Sequence, residues 1–426
     1  MTYPDTYYRR TMANGSEHST LSGTFDCDTV IIGGGLAGLT TALQLARAGV
    51  SVVVLEAENV GFGASGRNGG FVSPGFATGS DAIARATGKE AAQKIHRLSI
   101  EGVDFVRDAI RDLGIVDAKP RPGIMSVLRY DGGNSLKQYA DQLRRDYGYE
   151  LEYFGTDAVR SRLKSVRYFQ ALRDPNAFHI HPLNYLRALA AEIERLGGRI
   201  HENSAVIRCK LGGAEKSATT AGGEIKARRI VFTTGGYTGP LVSKLSRSYL
   251  PIATYVMLTE EAPGLIREAI ATRDAIGDNR RAGDYYRVVE DGKRILWGGR
   301  ITTRAASPAV LAGELRREMT GTYPQLKELK TELAWSGLMS YARHLMPQIG
   351  EMQPGVWHCT AFGGHGLNTT AIGGKLVAEG ILGQSDRYKL FKPFGLVWAG
   401  GVAGLATAQL TYWKLQAQDW WRERVA

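Results

Sequence analysis

The stretch "DTVIIGGGLAGLTTALQLARAGVSVVVLE", residues 28–56, decides the expected fold. It has the pattern of a buried β-strand, a glycine-rich turn, a helix and a second apolar strand. The turn satisfies G-x-G-x-x-G at Gly33, Gly35 and Gly38, and Glu56 ends the second strand. In this context the pattern indicates a dinucleotide site, because the glycines permit a tight turn, close approach to a pyrophosphate and close helix–strand packing.

The composition is that of an ordinary globular protein, since 43% of the 426 residues are hydrophobic and 22% are charged. The 53 Lys and Arg outnumber the 42 Asp and Glu, which gives a formal net charge of +11. The positive charges are scattered instead of clustered in a stripe. We therefore expect anionic small molecules or an anionic membrane surface as partners, and no nucleic acid.

The cysteines and histidines do not form a metal-binding pattern. Cys27, Cys209 and Cys359 are far apart and show no C-x-x-C spacing. We therefore predict no metal site and no disulfide framework, and we expect a reducing compartment. His179 and His181 alternate on one strand-like face without a third ligand nearby, which favours a structural or helix-capping role. The N-terminus has no apolar signal-peptide core, so a cytoplasmic location is expected.

The nucleotide-type elements fall into three separated blocks, with strand-rich segments between them. The predicted fold class is α/β, with a discontinuous Rossmann-type cofactor domain, an inserted mixed-sheet α+β substrate domain and a C-terminal helical segment. The predicted limits are 26–113, 178–250 and 337–390 for the cofactor domain, 114–177 and 251–336 for the substrate domain, 1–25 for an N-terminal arm that tyrosines hold on the body, and 391–426 for the C-terminal segment.

A second glycine turn lies late in the chain, in "TAFGGHGLNTTAIGGKLVAE", residues 360–379. A NAD enzyme does not need a second strand-to-helix turn of this kind. A flavin does, because one edge of its ring gains negative charge on reduction and the amino end of a helix stabilises that charge. The sequence therefore favours FAD, and the Glu56 carboxylate, which suits a ribose hydroxyl, disfavours a 2′-phosphate.

These motifs, together with "YPDTYYRR", "GFGASGRNGG", "YYRVVEDGKRILWGG" and "WSGLMSYARHLMPQIG", resemble the FAD-dependent amine and D-amino-acid oxidase family. Within that family the chain is most similar to the γ-glutamylputrescine oxidoreductase-like branch, and the resemblance extends to about residue 380. It implies hydride transfer from a C–N unit to FAD, hydrolysis of the imine and reoxidation by O2 to give H2O2. Relatives with covalent flavin carry a cysteine near "WSGLMS", and none lies at 330–345, so we expect non-covalent FAD.

The resemblance also assigns residues to the cofactor. It places the loop 61–70 beside the flavin, where Arg67 would stabilise the reduced ring or hold a water and Asn68 would contact the rim. The alternative for Arg67 is a surface cation in a mobile loop. His365 would lie at the pyrimidine side, or cap the next helix, or both. Arg67 and His365 are the predicted catalytic residues, and the predicted cofactor-binding residues are Gly33, Gly35, Leu36, Ala37, Gly38, Glu56, Ala57, Gly63, Ala64, Ser65, Arg67, Asn68, Gly69, Gly70, Val206, Thr234, Gly235, Gly363, Gly364, His365, Gly366 and Leu367.

The inserted strands are expected to line the substrate pocket. In "DYYRVV" the side chains alternate, so Tyr285 and Arg287 share one face. Amino-acid oxidases of the family carry an arginine after "GL" that grips the substrate carboxylate, but here Met339 takes that place. Another arginine must then grip the carboxylate, with Arg280, Arg281, Arg287 and Arg300 as candidates. The predicted substrate-binding residues are Tyr255, Tyr285, Arg287, Trp297, Arg300 and Trp335, with Tyr286 as a further candidate.

Several functional alternatives stay open. The leading hypothesis is oxidation of a small, carboxylate-bearing secondary amine or amino-acid-like compound, such as γ-glutamylputrescine, a sarcosine-like N-alkyl glycine or iminodiacetate. The first rival is a membrane-associated dehydrogenase that passes electrons to a quinone instead of O2. The second rival is a non-catalytic FAD- or tRNA-binding protein of similar fold. The oligomeric state is not predicted.

The C-terminal segment bears on the first rival. Residues 394–413 carry no charge, which allows a helix packed on the protein, an attachment to the membrane surface or, least favoured, a spanning helix. Trp413, Trp420 and Trp421 stand beside cations, as side chains at a headgroup boundary do. Peripheral contact with the inner face of the membrane through 394–424 is therefore one of the hypotheses.

Overall fold

The computed structural model describes residues 3–15, 17–280, 283–303 and 307–425, without the side chains of residues 300, 301 and 425. In this part of the chain the strands are β1 Gly23–Ile32, β2 Val52–Leu55, β3 Phe71–Val72, β4 Arg121–Val127, β5 Glu152–Phe154, β6 Ala171–His179, β7 Arg199–His201, β8 Arg208–Lys210, β9 Lys216–Thr219, β10 Gly223–Phe232, β11 Tyr249–Thr259, β12 Ala275–Asp278, β13 Tyr285–Val289, β14 Arg294–Thr302, β15 Thr331–Ala342, β16 Gln348–Gln353 and β17 Val356–Thr360. The helices are α1 Tyr7–Arg10, α2 Leu36–Arg47, α3 Ser80–Thr87, α4 Lys89–Asp112, α5 Ser135–Tyr147, α6 Thr156–Arg162, α7 Pro182–Arg195, α8 Ser243–Ser246, α9 Pro263–Ala269, α10 Pro308–Thr322, α11 Leu367–Leu382 and α12 Gly401–Val425.

The first sheet has the order β16-β17-β10-β1-β2-β7, and β8 and β9 extend it beside β10. The pairs from β17 to β7 are parallel. Every residue of β2 is buried, as expected for a parallel strand with both faces covered. Helices α2, α4, α7 and α11 contribute to the core on one face. The carboxyl ends of β1, β2 and β10 therefore meet at one edge.

The second sheet has the order β15-β11-β14-β13-β12-β4-β6-β3, with β5 beside β6. Only the β4–β12 pair is parallel in the described residues, so this sheet is mixed. One face packs on α9 and α10 around Met257, Ile276 and Trp297. The other face turns towards the edge of the first sheet. The predicted α/β fold with a mixed second sheet is confirmed.

Helices α3 and α4 are separated by Gly88, whose φ of 83° lies outside the helical region. Strand β3 lies within the predicted cofactor domain yet pairs with β6, and β15 crosses the predicted limit at 336/337. The domain limits therefore remain predictions.

Helix α12 lies over the second sheet, where it contacts β11 and β14. Within the described residues, no helix is long and apolar enough to cross a membrane. At the other end of the chain, Tyr7 and Tyr8 of α1 are buried against the body of the protein. The arm is thus held by its tyrosines, as its sequence suggested.

Candidate active site

A cavity of 2040 Å³ lies between the carboxyl edge of the first sheet and the open face of the second. The glycine turn after β1 and the residues after β10 line one part of it, and β13, β14 and β15 line another. Its lining includes most of the predicted cofactor residues: Gly33, Gly35, Leu36, Ala37, Glu56, Ala57, Gly63, Ala64, Ser65, Arg67, Asn68, Gly69, Val206, Thr234, Gly235, Gly363, Gly364, His365, Gly366 and Leu367. Two predicted residues, Gly38 and Gly70, lie behind this surface.

The glycine turn is shaped by contacts that leave no space for side chains. Gly33 has a φ of 112°, and a Cβ atom there would lie 2.8 Å from the carbonyl oxygen of Thr233. A Cβ atom at Gly38 would lie 2.1 Å from the carbonyl oxygen of Gly33, so Gly38 serves helix–strand packing. Gly35 caps α2 without a side-chain hydrogen bond, which leaves the amino end of the helix facing the cavity. This cradle fits a pyrophosphate.

Glu56 lines the cavity beside this turn. Its Oε2 accepts from the backbone N–H of Gly34 at 2.6 Å, and its Oε1 accepts from that of Glu58 at 3.0 Å. Burial raises the pKa of the Glu56 carboxyl, and the two backbone donors act against that rise. Each oxygen keeps a lone pair, so the predicted contact with a ribose hydroxyl stays a prediction that the geometry allows.

We call residues 61–70 the strap. Asn68 fastens it: its side-chain N–H groups donate to the carbonyl oxygens of Ala64 (3.0 Å) and Ser65 (2.8 Å), and its Oδ1 accepts from the Gly70 N–H at 2.7 Å. Both amide hydrogens are thus used within the strap. The predicted hydrogen bond from Asn68 to the flavin rim is therefore less favoured than a role in fixing the shape of the strap.

Arg67 presents its guanidinium to the cavity. Nη1 donates to the carbonyl oxygen of Ser336 at 3.1 Å and Nη2 donates to the Tyr237 hydroxyl at 2.8 Å. The guanidinium also lies 4.7 Å from the ring centre of Phe62. Burial lowers the pKa of Arg67, but an arginine stays protonated near neutral pH. Its described partners are neutral, so a positive charge faces the cavity from a fixed position.

The strap is also held from behind. The indole Nε1 of Trp335 donates to the carbonyl oxygen of Arg67 at 2.9 Å, and the Tyr8 hydroxyl donates to that of Asn68 at 2.6 Å. Trp335 is buried and is not among the residues that line the cavity. The predicted substrate role of Trp335 is therefore replaced by a positioning role.

The second glycine turn leads into α11. Gly363 has a φ of 61°, and Gly366 caps the helix without a side-chain hydrogen bond. The amino end of α11 thus faces the cavity, as the flavin hypothesis requires. His365 is half-buried there, and burial lowers the pKa of its imidazole, which keeps it neutral near pH 7. The catalytic role of His365 remains a prediction.

The predicted substrate residues separate into those that face the cavity and those that do not. Tyr285 lines the cavity. Arg287 is covered instead: its Nη2 donates to the Tyr8 hydroxyl (3.0 Å) and to the carbonyl oxygen of Ile180 (2.8 Å), and its Nη1 lies 3.0 Å from His179 Nδ1. The arm and the strap thus enclose Arg287, and it does not reach a substrate.

Tyr255 and Trp297, two further predicted substrate residues, do not line the cavity. Both are buried in the core between the second sheet and α10. Trp297 stacks on Tyr286, whose ring centre is 4.1 Å away. Because successive side chains of a strand alternate between faces, these residues point away from the face that carries Tyr285.

Two of the remaining candidate arginines cannot be placed at the cavity, because Arg281 and the side chain of Arg300 lie outside the residues and side chains that the structure describes. Arg280 reaches the cavity, but it is surrounded by carboxylates. Its Nη2 lies 2.7 Å from both Asp278 and Asp284, and its Nη1 lies 3.0 Å from Glu318. Arg280 is therefore committed to ion pairs and is a weak candidate for gripping a substrate carboxylate.

Sequence reasoning missed three side chains of the cavity: Tyr237, Tyr341 and Arg343. Tyr237 directly follows the predicted strand end "TTGG" and holds the Arg67 guanidinium. Arg343 lies in the turn after β15 and is exposed at the cavity. Counting alternate positions from Met339 would have found Tyr341.

Comparison with known proteins agrees with this geometry. Residues 28–380 match the family described as FAD dependent oxidoreductase. The chain is 32% identical over 392 residues to gamma-glutamylputrescine oxidoreductase of Escherichia coli, covering 91% of each protein. It is 29% identical over 371 residues to probable oxidoreductase OrdL of Haemophilus influenzae, covering 86% of this chain and 85% of that one. The structure of glycine oxidase from Geobacillus kaustophilus is similar at a TM-score of 0.73 and 18% identity, covering 87% of this chain and 98% of that one.

The match spans the glycine turn, the strap, the second sheet and the turn before α11. The sequence-based prediction of the family and of FAD is confirmed, and the non-covalent attachment of FAD stays a prediction. The protein is therefore an enzyme of the FAD-dependent oxidoreductase family, and FAD is its cofactor.

Proposed function

We propose that the protein oxidises the C–N bond of a small, carboxylate-bearing secondary amine to an imine, which water splits into a carbonyl compound and an amine. Bound FAD would supply the acceptor for the hydride from the carbon next to nitrogen, and O2 would take up the two electrons to give H2O2. The nitrogen loses a proton as the C=N bond forms. Candidate substrates are γ-glutamylputrescine, N-alkyl glycines and iminodiacetate.

The observation that carries this proposal is the common cavity. The dinucleotide turn, the Arg67 guanidinium, the amino end of α11 and one face of the second sheet all line it. The cofactor and a small substrate can therefore lie side by side, with the substrate between Tyr285, Met339 and Tyr341. The relative named gamma-glutamylputrescine oxidoreductase adds support for an amine substrate.

The charges of the cavity match the charges of the reaction. Negative charge grows on the cofactor side as the substrate is oxidised, and Arg67 and the amino end of α11 offset it. No strong side-chain base is required, because an amine that binds in its neutral form already has the lone pair that forms the C=N bond. The neutral His365 imidazole can accept a hydrogen bond without adding a second cation.

Arg343 is the cation that we propose for the substrate carboxylate. It is exposed at the cavity, in the turn that follows β15, two residues after Tyr341. Arg287 is enclosed behind the strap and Arg280 is paired with four carboxylates, so neither competes for this role. A guanidinium binds a carboxylate through two parallel hydrogen bonds.

Anaerobic reduction of the bound flavin tests the proposal. The holoenzyme is mixed without O2 with γ-glutamylputrescine, sarcosine and iminodiacetate, and with counterparts that lack the carboxylate, while the visible flavin absorbance is followed. We expect bleaching by at least one carboxylate-bearing amine, and one H2O2 for each amine oxidised after O2 is admitted. If no amine or amino acid bleaches the flavin, the proposed function is wrong.

A quinone is the second candidate electron acceptor, and the apolar outward side of α12 favours it. Trp398, Val402 and Leu410 are exposed on or just before this helix, where a lipid-soluble acceptor would be met. Reoxidation of the reduced enzyme by O2 and by a water-soluble quinone separates the two. A quinone rate far above the O2 rate, with little H2O2, would identify a dehydrogenase.

A further inference from the structure

Helix α12 presents an uncovered apolar stripe to solvent. Val402, Ala406, Leu410, Trp413, Ala417 and Trp420 follow one another at spacings of four or three residues, so they lie on one side of the helix. All six are exposed. This spacing normally marks the side of a helix that is buried against another surface.

The tryptophans show how unusual this surface is. Trp297, Trp335 and Trp357 are buried, whereas Trp398, Trp413, Trp420 and Trp421 are all exposed, and these four belong to the same 24 residues of the C-terminal segment. Val402 is 85% exposed and Trp421 is 63% exposed. A contiguous apolar patch of this kind marks an interaction site, and tryptophan is the side chain most typical of a membrane–water boundary.

The basic and acidic residues of α12 lie on different sides of the helix. Lys414 and Arg424 are exposed beside the stripe, and the Arg424 guanidinium lies 3.6 Å from the ring centre of Trp420. The acidic residues of the helix turn inward: Asp419 is buried, and Glu423 lies 3.2 Å from the Arg129 guanidinium. The outward side is therefore apolar and cationic.

We propose that this outward side of α12 binds the surface of a bilayer that contains anionic phospholipid. Anionic headgroups neutralise Lys414 and Arg424, while the apolar stripe enters the headgroup boundary. A second copy of the chain is a poorer occupant, because it would bring the same cations to the contact and no exposed acid of α12 to meet them.

The inner side of α12 adds a consequence for access. Thr407, Thr411 and Leu415 line the active-site cavity, so one helix separates the cavity from the proposed membrane surface. The ion pairs of Glu423 with Arg129, Arg167 and Arg280 fix the far end of this helix. The lipid surface is inferred independently of which amine is oxidised and of which compound accepts the electrons.

Vesicle binding by the full-length holoenzyme tests the proposal. Co-sedimentation is measured with phosphatidylcholine vesicles and with vesicles that also contain phosphatidylglycerol, at low and high salt. We expect at least about tenfold tighter binding to the anionic vesicles, weakened by salt, with a blue shift of tryptophan fluorescence. Lys414→Gln and Arg424→Gln should each weaken binding by about fivefold.

Two triple variants distinguish vesicle binding by the stripe from non-specific binding by other exposed apolar residues. Trp413→Ser/Trp420→Ser/Trp421→Ser removes apolar contacts of α12, and Val116→Ser/Val166→Ser/Val310→Ser removes exposed apolar residues elsewhere. Only the first should lower vesicle affinity, by more than about tenfold, with FAD content unchanged. If the tryptophan variant loses FAD, the Lys414 and Arg424 variants decide the outcome.

Three results would overturn the proposal. The first is that the wild-type enzyme binds neither kind of vesicle, and the second is that the cation and tryptophan variants bind like the wild type. Alternatively, light scattering without lipid could show a dimer that the tryptophan variant loses, which would assign the stripe to a second copy of the chain.

Discussion

The hydroxyl of Tyr8 donates to the carbonyl oxygen of Asn68 at 2.6 Å, and thereby joins the N-terminal arm to the strap of the active site. The same hydroxyl accepts from Arg287 Nη2 at 3.0 Å. A buried arginine, a buried tyrosine and the strap backbone thus form one chain of hydrogen bonds. The position of Arg67, one residue from Asn68, depends on groups that never face the cavity.

Tyr8→Phe should loosen the strap without altering the cavity wall. The variant loses both hydrogen bonds of the Tyr8 hydroxyl, and a buried carbonyl oxygen that loses its donor costs about 1–3 kcal/mol. We expect weaker FAD binding and a lower unfolding midpoint, measured by FAD titration and urea denaturation. Tyr7→Phe is the control, since Tyr7 is buried beside Tyr8 but its hydroxyl does not contact the strap. Equal effects of the two variants would contradict this role.

Gly70→Ala and Gly88→Ala form a matched pair, because both glycines have a φ of 83°. A Cβ atom at Gly70 would lie 2.3 Å from the carbonyl oxygen of Ile180. A Cβ atom at Gly88 would have no non-neighbouring heavy atom within 4 Å. Both variants should lose about 1 kcal/mol through backbone strain, and Gly70→Ala about 1–3 kcal/mol more through overlap. Urea unfolding of both holoenzymes measures the difference, which should vanish if the strap can shift freely.

Arg67→Gln should slow flavin reduction by about 10²-fold, because it removes the charge that offsets growing negative charge on the cofactor. For the same reason the reduction potential of bound FAD should fall. Arg67→Lys should restore part of both, since it keeps the charge but not the planar donor pair. Stopped-flow bleaching and potentiometry measure these effects, with Arg85→Gln on α3 as the control. An unchanged potential would remove Arg67 from this role.

The buried histidines predict a loss of stability in acid. Burial, and then the Arg287 charge, lower the pKa values of His179 and His181 to about 3, below the unfolded value of about 6.5. The unfolded chain therefore binds more protons between these values, and stability falls as pH falls. Near pH 5 each histidine should cost about 2 kcal/mol relative to pH 7.

Urea unfolding at both pH values checks this sign. His179→Asn should reduce the pH dependence, since an amide can still accept from Arg287 and donate to the Arg273 carbonyl oxygen, as His179 does at 3.0 Å for each contact. A variant with the same dependence as the wild type would show that His179 does not cause it.

Arg343→Gln should raise KM for a carboxylate-bearing amine by about tenfold, with a smaller change in kcat, because a charge-assisted pair is lost. Turnover of a counterpart that lacks the carboxylate should be unchanged, which serves as the internal control. Steady-state kinetics with both compounds measures the effect. A tenfold rise in KM for both compounds would instead indicate general damage to the cavity.

Much of the cofactor side was predictable from sequence. The order of strand, Gly33–Gly38 turn and helix is local, and each glycine answers a local need for positive φ or close packing. The sequence also predicted that Tyr285 and Tyr286 lie on opposite faces of one strand. It did not show which of these faces lines the cavity. Tyr255 and Trp297 were assigned to the wrong face because both faces of that sheet carry aromatic residues.

The sequence alone therefore determined the family, the cofactor and the positions of its turns, because these depend on neighbours along the chain and on the backbone. Only the tertiary structure decided which arginines remain available. Arg287 donates to Tyr8, and Arg280 forms an ion pair with Glu318; both partners are distant in the chain. Burial and ion pairing are set by residues far apart in the chain, so no local pattern could reveal that Arg287 and Arg280 are held by these partners.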